Sequence, residues 1–184
     1  MTTRNSRKKE LKLNRELSGV VSFHGHLCPG LLIGYRAAKA GMKRLRGRRS
    51  GDEELIAIVE NNSCAVDAVQ FLTGATFGKG NLFFRDYGKQ VFTFAKRPGG
   101  KAVRVALRPD VFARPAPSRE DRVKMLLTAK DDDLFNIKNV RITLPAEAEI
   151  HQSLICASCG EPVMDTRTRK VKGKVLCIPC AEKV

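Results

Sequence analysis

Apolar positions recur along the chain in two rhythms, and each rhythm predicts an element. Leu13, Leu17, Val20, Val21 and His24 fall three and four residues apart, the spacing of one helical face. A polar, basic tail of residues 1–10 precedes them. Pro29 suits the first position of a second helix, which should run to about Leu45. Lys43, Arg44 and Arg46 suit the negative end of that helix. Residues 47–51 read as a basic loop, and the apolar run Leu55 to Val59 has the length of a strand. Asn61-Asn62-Ser63-Cys64-Ala65-Val66-Asp67 reads as a helix start. With Cys64 near the cap, Asp67 takes the third helical position, where a carboxylate is favoured. This helix should end near Gly74. Val91 to Phe94 and Val103 to Leu107 alternate and are rich in β-formers, and Pro98-Gly99-Gly100 between them signals a hairpin. Pro109, Pro115 and Pro117 break the chain, Ser118 caps a helix to about Lys130, and Ile137 to Leu144 is a further strand. Pro145 to Ser153 reads as a hinge. The predicted organisation is a tail of residues 1–10, a core domain over 11–148 and a cysteine-rich domain over 149–184.

Composition adds a compartment. No apolar run approaches the ~18–20 residues of a membrane span, and residues 1–10 lack the apolar stretch of a secretory signal. The expectation is a cytoplasmic protein with no membrane association. The net charge is +15 but unevenly spread: residues 1–50 carry thirteen Lys/Arg against two Glu, and residues 51–155 fifteen against fourteen Asp/Glu. The N-terminal excess allows nucleic acid or another polyanion as partner. The alternative is a solvated face that keeps the protein soluble, since no aromatics interleave the basic residues.

Four of the six cysteines form the pattern C-x2-C-x17-C-x2-C, at Cys156, Cys159, Cys177 and Cys180. This is zinc-site spacing. Each Cys-x-x-Cys turn can set two sulfurs about 2.3 Å from one ion, and Gly160 permits the left-handed turn such a knuckle needs. The segment holds no Phe, Tyr or Trp, so metal must supply its folding energy, on the order of 10–16 kcal/mol. Four thiolates leave no open position, which makes this zinc structural. A redox dithiol pair or an iron centre would use similar ligands, but rubredoxin-type sites carry a longer insert and an aromatic core.

His24, His26 and Cys28 occupy every second residue, so in an extended segment their side chains would face one way. Cys28 falls at a helix N-terminus, and Cys64 at another. Two thiols and two imidazoles suit zinc or another transition metal, or thiol–imidazole chemistry. They are equally compatible with a core histidine and inert buried cysteines. Gly74-Ala75-Thr76-Phe77-Gly78-Lys79-Gly80 fails as a phosphate loop: it is one residue too short, Gly80 stands where Ser/Thr would meet magnesium, and a helix precedes it.

Phe23-His24-Gly25-His26-Leu27-Cys28-Pro29-Gly30, Asn62-Ser63-Cys64-Ala65-Val66-Asp67-Ala68, Thr76-Phe77-Gly78-Lys79-Gly80-Asn81-Leu82 and Asp86-Tyr87-Gly88-Lys89 resemble, in order and spacing, the FmdE family of formylmethanofuran dehydrogenase proteins. The resemblance covers about residues 10–145. It implies an α+β core, helices packed on a mostly antiparallel sheet, that forms intertwined homodimers, followed by a small zinc-ribbon or treble-clef-like domain. It also implies an accessory role beside molybdenum- or tungsten-dependent enzymes. The pocket it implies, for a second transition metal or a small molecule, is lined by His24, His26, Cys28 and Cys64. One departure stands out: many relatives have a cysteine where this chain has Ala75. Two further readings remain: a zinc-finger regulator that binds nucleic acid or a protein partner through Lys43, Arg44, Arg46, Arg48 and Arg49, and a cysteine enzyme.

Overall fold

The computed structural model describes residues 13–113 and 118–184, so the tail of residues 1–10 and the breaks at Pro115 and Pro117 lie outside the described residues. The chain divides into two compact units, one ending at Glu147 and one from Ala148 to Val184.

In the first unit, α1 (Arg15–His24) starts where Asn14 Oδ1 accepts the Leu17 amide at 2.8 Å. That cap sets the start just after Leu13, which packs against the core from outside the helix. α2 (Pro29–Leu45) begins at the proline and ends in the basic turn predicted for it. β1 (Leu55–Val59) and α3 (Ala65–Thr73) follow, then β2 (Leu82–Phe84), β3 (Val91–Lys96) and β4 (Lys101–Leu107). α4 (Asp110–Ala113), α5 (Arg119–Thr128), α6 (Asp131–Leu134) and β5 (Phe135–Arg141) complete the unit. Ser118 Oγ accepts the Asp121 amide and so starts α5, as its position predicts.

The five strands form one sheet in the order β2-β1-β3-β4-β5, with β1 and β2 parallel and the other pairs antiparallel. Alternation sorts its side chains onto two faces. Ala57, Val59, Phe92, Phe94, Val103 and Val105 join the large core beneath the helices. Ile56, Ile58, Ala95 and Ala102 point the other way and are buried as well, under Phe83, Val140, Ile142 and Leu144. Double burial explains why β1 lacks a polar alternate. It also corrects the last core strand. β5 starts at Phe135, opposite Leu107, and ends at Arg141, opposite Lys101. Ile142 and Leu144 lie beyond it and cover the outer face.

α2 packs on β3, β4, α3 and α5. Small residues permit this. A Cβ on Gly34 would lie 2.0 Å from the Ala65 carbonyl oxygen, and one on Gly41 would lie 2.3 Å from the Phe94 ring. The rejected phosphate-loop motif is a brace. Lys79 Nζ donates to the carbonyls of Ser50, Gly51 and Asp52. The fully buried Asn81 donates to the carbonyls of Asp52 and Leu55 and accepts the Thr76 amide.

The second unit consists of two hairpins, β6 (Ser153–Ile155) with β7 (Pro162–Met164) and β8 (Thr168–Val171) with β9 (Lys174–Cys177). A 3-10 turn over Asp165–Arg167 joins them, and α7 (Ile178–Ala181) ends the unit. Its buried hydrophobic cluster is Cys156, Leu176 and Cys177, with Val163, Val171, Cys180 and Ala181 packed around it.

Candidate metal centres

Two groups of side chains, one in each unit, bring metal-ligating atoms together among the described residues. In the C-terminal unit these are Cys156, Cys159, Cys177 and Cys180, whose sulfurs all lie within 4.8 Å of one another. Cys156 and Cys159 flank the tip of the first hairpin, where Gly160 adopts φ +74° and its amide bonds the Cys156 carbonyl. Cys177 ends β9 and Cys180 lies on α7. The Cys159 and Cys177 sulfurs are 3.9 Å apart, close to the edge of about 3.8 Å for a tetrahedron of Zn–S bonds of about 2.3 Å. Electrostatics favours the same occupant. Amides of Cys159, Cys177 and Ser158 hold the Cys156 thiol down at about 6. At Cys159 the Glu161 amide acts in the same direction, but the Cys156 thiol, burial and the thiols of Cys180 and Cys177 push it up to about 12. The Cys156 sulfur thus ionises readily, whereas those of Cys159 and Cys177 need a cation among them to do so.

The core group is His24, His26 and Cys28, also within 4.8 Å of one another. The segment is not extended, so its every-second-residue spacing does not set which way these side chains face. His24 is the last residue of α1, and Gly25 turns the chain with φ +99°. His26 follows in the bend, its ring 4.7 Å from that of His24. Cys28 caps α2, accepting the Leu31 amide on its sulfur at 3.3 Å. His24 Nε2 stands 4.0 Å from Cys28 Sγ. Two ligands of one tetrahedral zinc would be about 3.6 Å apart, so only a few tenths of an ångström separate the pair from that geometry.

His24 is positioned by Asp67, a residue whose place in the sequence suggests only a helix-start role. Asp67 Oδ2 lies 2.7 Å from His24 Nδ1, across 43 residues of sequence. The carboxylate sits in the first turn of α3 as predicted. An N–H on Nδ1 donates to it and leaves Nε2, the nitrogen facing Cys28, with its lone pair free. The spacing of the two motifs carries no sign of this contact, since it depends on how α1 crosses α3.

Cys64 stands outside the three-residue set. It precedes α3 in helical conformation and makes no side-chain cap bond. Its pKa is raised by burial first and then by contact with the Cys28 thiol. Ala75 is fully buried in the large core and offers no ligand atom. Two nitrogens and one sulfur remain, a donor set that suits zinc or another borderline transition metal. Lys43, Arg44, Arg46, Arg48 and Arg49 lie at and beyond the end of α2. No helix among the described residues is long and apolar enough to cross a membrane.

Known proteins bear on both units. Residues 23–136, more than half of the chain, match the family described as "FmdE, Molybdenum formylmethanofuran dehydrogenase operon". Residues 152–184 match the "Prokaryotic dksA/traR C4-type zinc finger". A curated relative from Archaeoglobus fulgidus, named "Probable S-adenosyl-L-methionine-binding protein", is 30% identical over 92% of this chain. The chain spans about half of that relative, 53% of its length. The crystal structure of a tungsten formylmethanofuran dehydrogenase FmdE-like protein from Syntrophus aciditrophicus superposes with a TM-score of 0.69 at 24% identity, covering 91% of this chain and 90% of that one. That likeness speaks to the fold, a mixed and mostly antiparallel five-stranded sheet with helices. The finger match and the four clustered sulfurs imply one structural zinc. By its matched core and its C-terminal cysteines, the chain belongs to the FmdE family and ends in a dksA/traR-type C4 zinc finger.

Proposed function

We propose that this is a metal-binding accessory protein whose core holds one transition-metal ion between His24, His26 and Cys28. The observation that carries this reading is the convergence of those three donors, with His24 oriented by Asp67. A carboxylate behind a ligating imidazole fixes its tautomer and raises its basicity. Three protein ligands would leave a fourth position for a small ligand, the arrangement of a working site rather than a structural one. The family description ties such proteins to molybdenum formylmethanofuran dehydrogenase operons. Service to a molybdenum or tungsten enzyme, as a cytoplasmic homodimer, completes the proposal.

Metal content per chain, by elemental mass analysis of protein purified without added metal, tests it. Two ions are expected in the wild type and one in Cys28→Ser, the remaining ion being the finger zinc. Equal metal content in the two proteins would end the proposal. Asp67→Asn retains every ligand but loses the carboxylate. It is expected to weaken the core ion by about 10–100-fold, read by competition with a chromophoric chelator, with the finger zinc unchanged.

A second reading, in which the finger binds nucleic acid, draws support from one feature. Arg167, Arg169, Lys170, Lys172 and Lys174 are all exposed within the second hairpin and the turn before it. Phosphate contacts of that kind weaken steeply with salt. Failure to shift DNA or RNA at low ionic strength would remove it.

A further inference from the structure

We infer that Cys28 and Cys64 form a reversible thiol–disulfide pair at the core site, oxidised by peroxide. The pair itself needs no ion; only its consequence for metal loading rests on the metal reading above.

Gly30 lies against both thiols. A Cβ built on it would stand 3.3 Å from Cys64 Cβ, 3.8 Å from Cys64 Sγ and 3.9 Å from Cys28 Sγ. Both sulfurs therefore border one volume, about the size of a methyl group, that glycine leaves empty. Cys64 packs at the edge of the large core but neither makes a side-chain cap bond on α3 nor belongs to the three-donor group. The remaining four cysteines lie in the other unit, so within the first unit each of these two thiols has only the other as a disulfide partner.

The two sulfurs are not equivalent. Cys28 is 6% exposed, takes an amide hydrogen bond at the start of a 17-residue helix, and lies 4.0 Å from His24 Nε2. Cys64 is only partly buried. A nearly closed sulfur admits only a small oxidant. In the first step the Cys28 sulfur attacks one oxygen of hydrogen peroxide. The O–O bond breaks, the Cys28 S–O bond forms, and the leaving hydroxide takes the Cys28 thiol proton as water. Cys28 is then a sulfenic acid. In the second step the Cys64 sulfur attacks Cys28 Sγ. The S–S bond forms, the S–O bond breaks, and the hydroxide leaves as water with the Cys64 proton. In sum, two thiols and one peroxide give one disulfide and two waters. Cys28 can no longer ligate an ion as a thiolate, so oxidation and core metal loading exclude one another.

The test is hydrogen peroxide treatment of the full-length protein, freed of any core ion by a mild chelator, followed by denaturing alkylation and peptide mapping. Wild-type protein is expected to lose two alkylatable thiols, recovered as one cross-linked peptide containing Cys28 and Cys64, and to regain both with dithiothreitol. In Cys64→Ser, which lacks the resolving thiol, a dimedone-type reagent should trap Cys28 as the sulfenic acid. If Cys28 and Cys64 both stay alkylatable, or are oxidised without the cross-link, the inference is overturned. Metal analysis of the same protein before chelation separates the two ideas. A cross-link in a protein that binds only the finger zinc would support the pair and end the metal reading. Two ions per chain before chelation, with no cross-link once the core ion is removed, would end the pair and leave the metal reading standing.

Discussion

Removal of zinc is expected to unfold residues 148–184. The buried cluster of this unit is Leu176 and two of the cysteines themselves. The stretch holds no Phe, Tyr or Trp and falls below the ~40 residues under which a domain usually needs a metal or disulfides. Zinc binding to such a site contributes on the order of 10–16 kcal/mol of apparent folding free energy, comparable to the whole stability of a folded domain, about 5–15 kcal/mol. Without the ion the four sulfurs cannot share negative charge, as the thiols held at about 6 for Cys156 and about 12 for Cys159 already indicate. The measurement is a two-dimensional amide spectrum before and after a strong chelator. Signals of 148–184 should collapse to the unfolded range and return on adding zinc. Dispersed signals that survive chelation would show that the hairpins fold without metal.

Gly34→Val should be the most damaging single substitution on α2. The first atom of any side chain there would meet the Ala65 carbonyl at 2.0 Å, and that oxygen belongs to the first residue of α3, so no side-chain rotation relieves the clash. The helices would have to separate, opening the contact between Pro29–Leu45 and Ala65–Thr73 that carries Cys28 and Asp67 at its ends. Overpacking of this kind costs about 3 kcal/mol or more. Urea unfolding monitored on the core unit provides the number. Gly78→Ala is the control, since a Cβ there meets nothing within 4 Å, and it should change stability by less than about 0.5 kcal/mol. A Gly34→Val protein as stable as that control would mean the two helices are not packed this closely.

What could be read from the chain, and what could not, follows the range of the forces involved. Pro29 and the basic turn at Lys43 and Arg44 mark α2 because caps and helix charge act within one turn. Leu55–Val59 declares itself because it is buried on both faces. The cysteine knuckles are visible because each Cys-x-x-Cys turn is local. β2 leaves no such mark: three residues have no period, and Leu82–Phe84 is a strand only because Ala57–Val59 lies beside it in parallel. The same holds for the start of β5, set by pairing with Leu107 rather than by its own alternation. At the candidate site, His24, His26 and Cys28 are neighbours in sequence, and their types alone suggest ligation. Their convergence comes from a left-handed turn at Gly25 and not from the alternation an extended segment would give. Asp67 and Cys64 take their roles from the packing of α3 against α1 and α2, which no local pattern encodes.

The three donors of the core group lie within five consecutive residues, and this has a thermodynamic consequence. A denatured chain retains all of them side by side, so an ion can bind it as well as the native form. Ligand stabilisation depends on the difference between those two affinities, and binding to the unfolded chain reduces it. A tightly held core ion would therefore raise the melting temperature far less than its dissociation constant suggests. Asp67 is the part of this arrangement that exists only in the native state, so it supplies a preference for folded over unfolded chain that the three donors lack on their own.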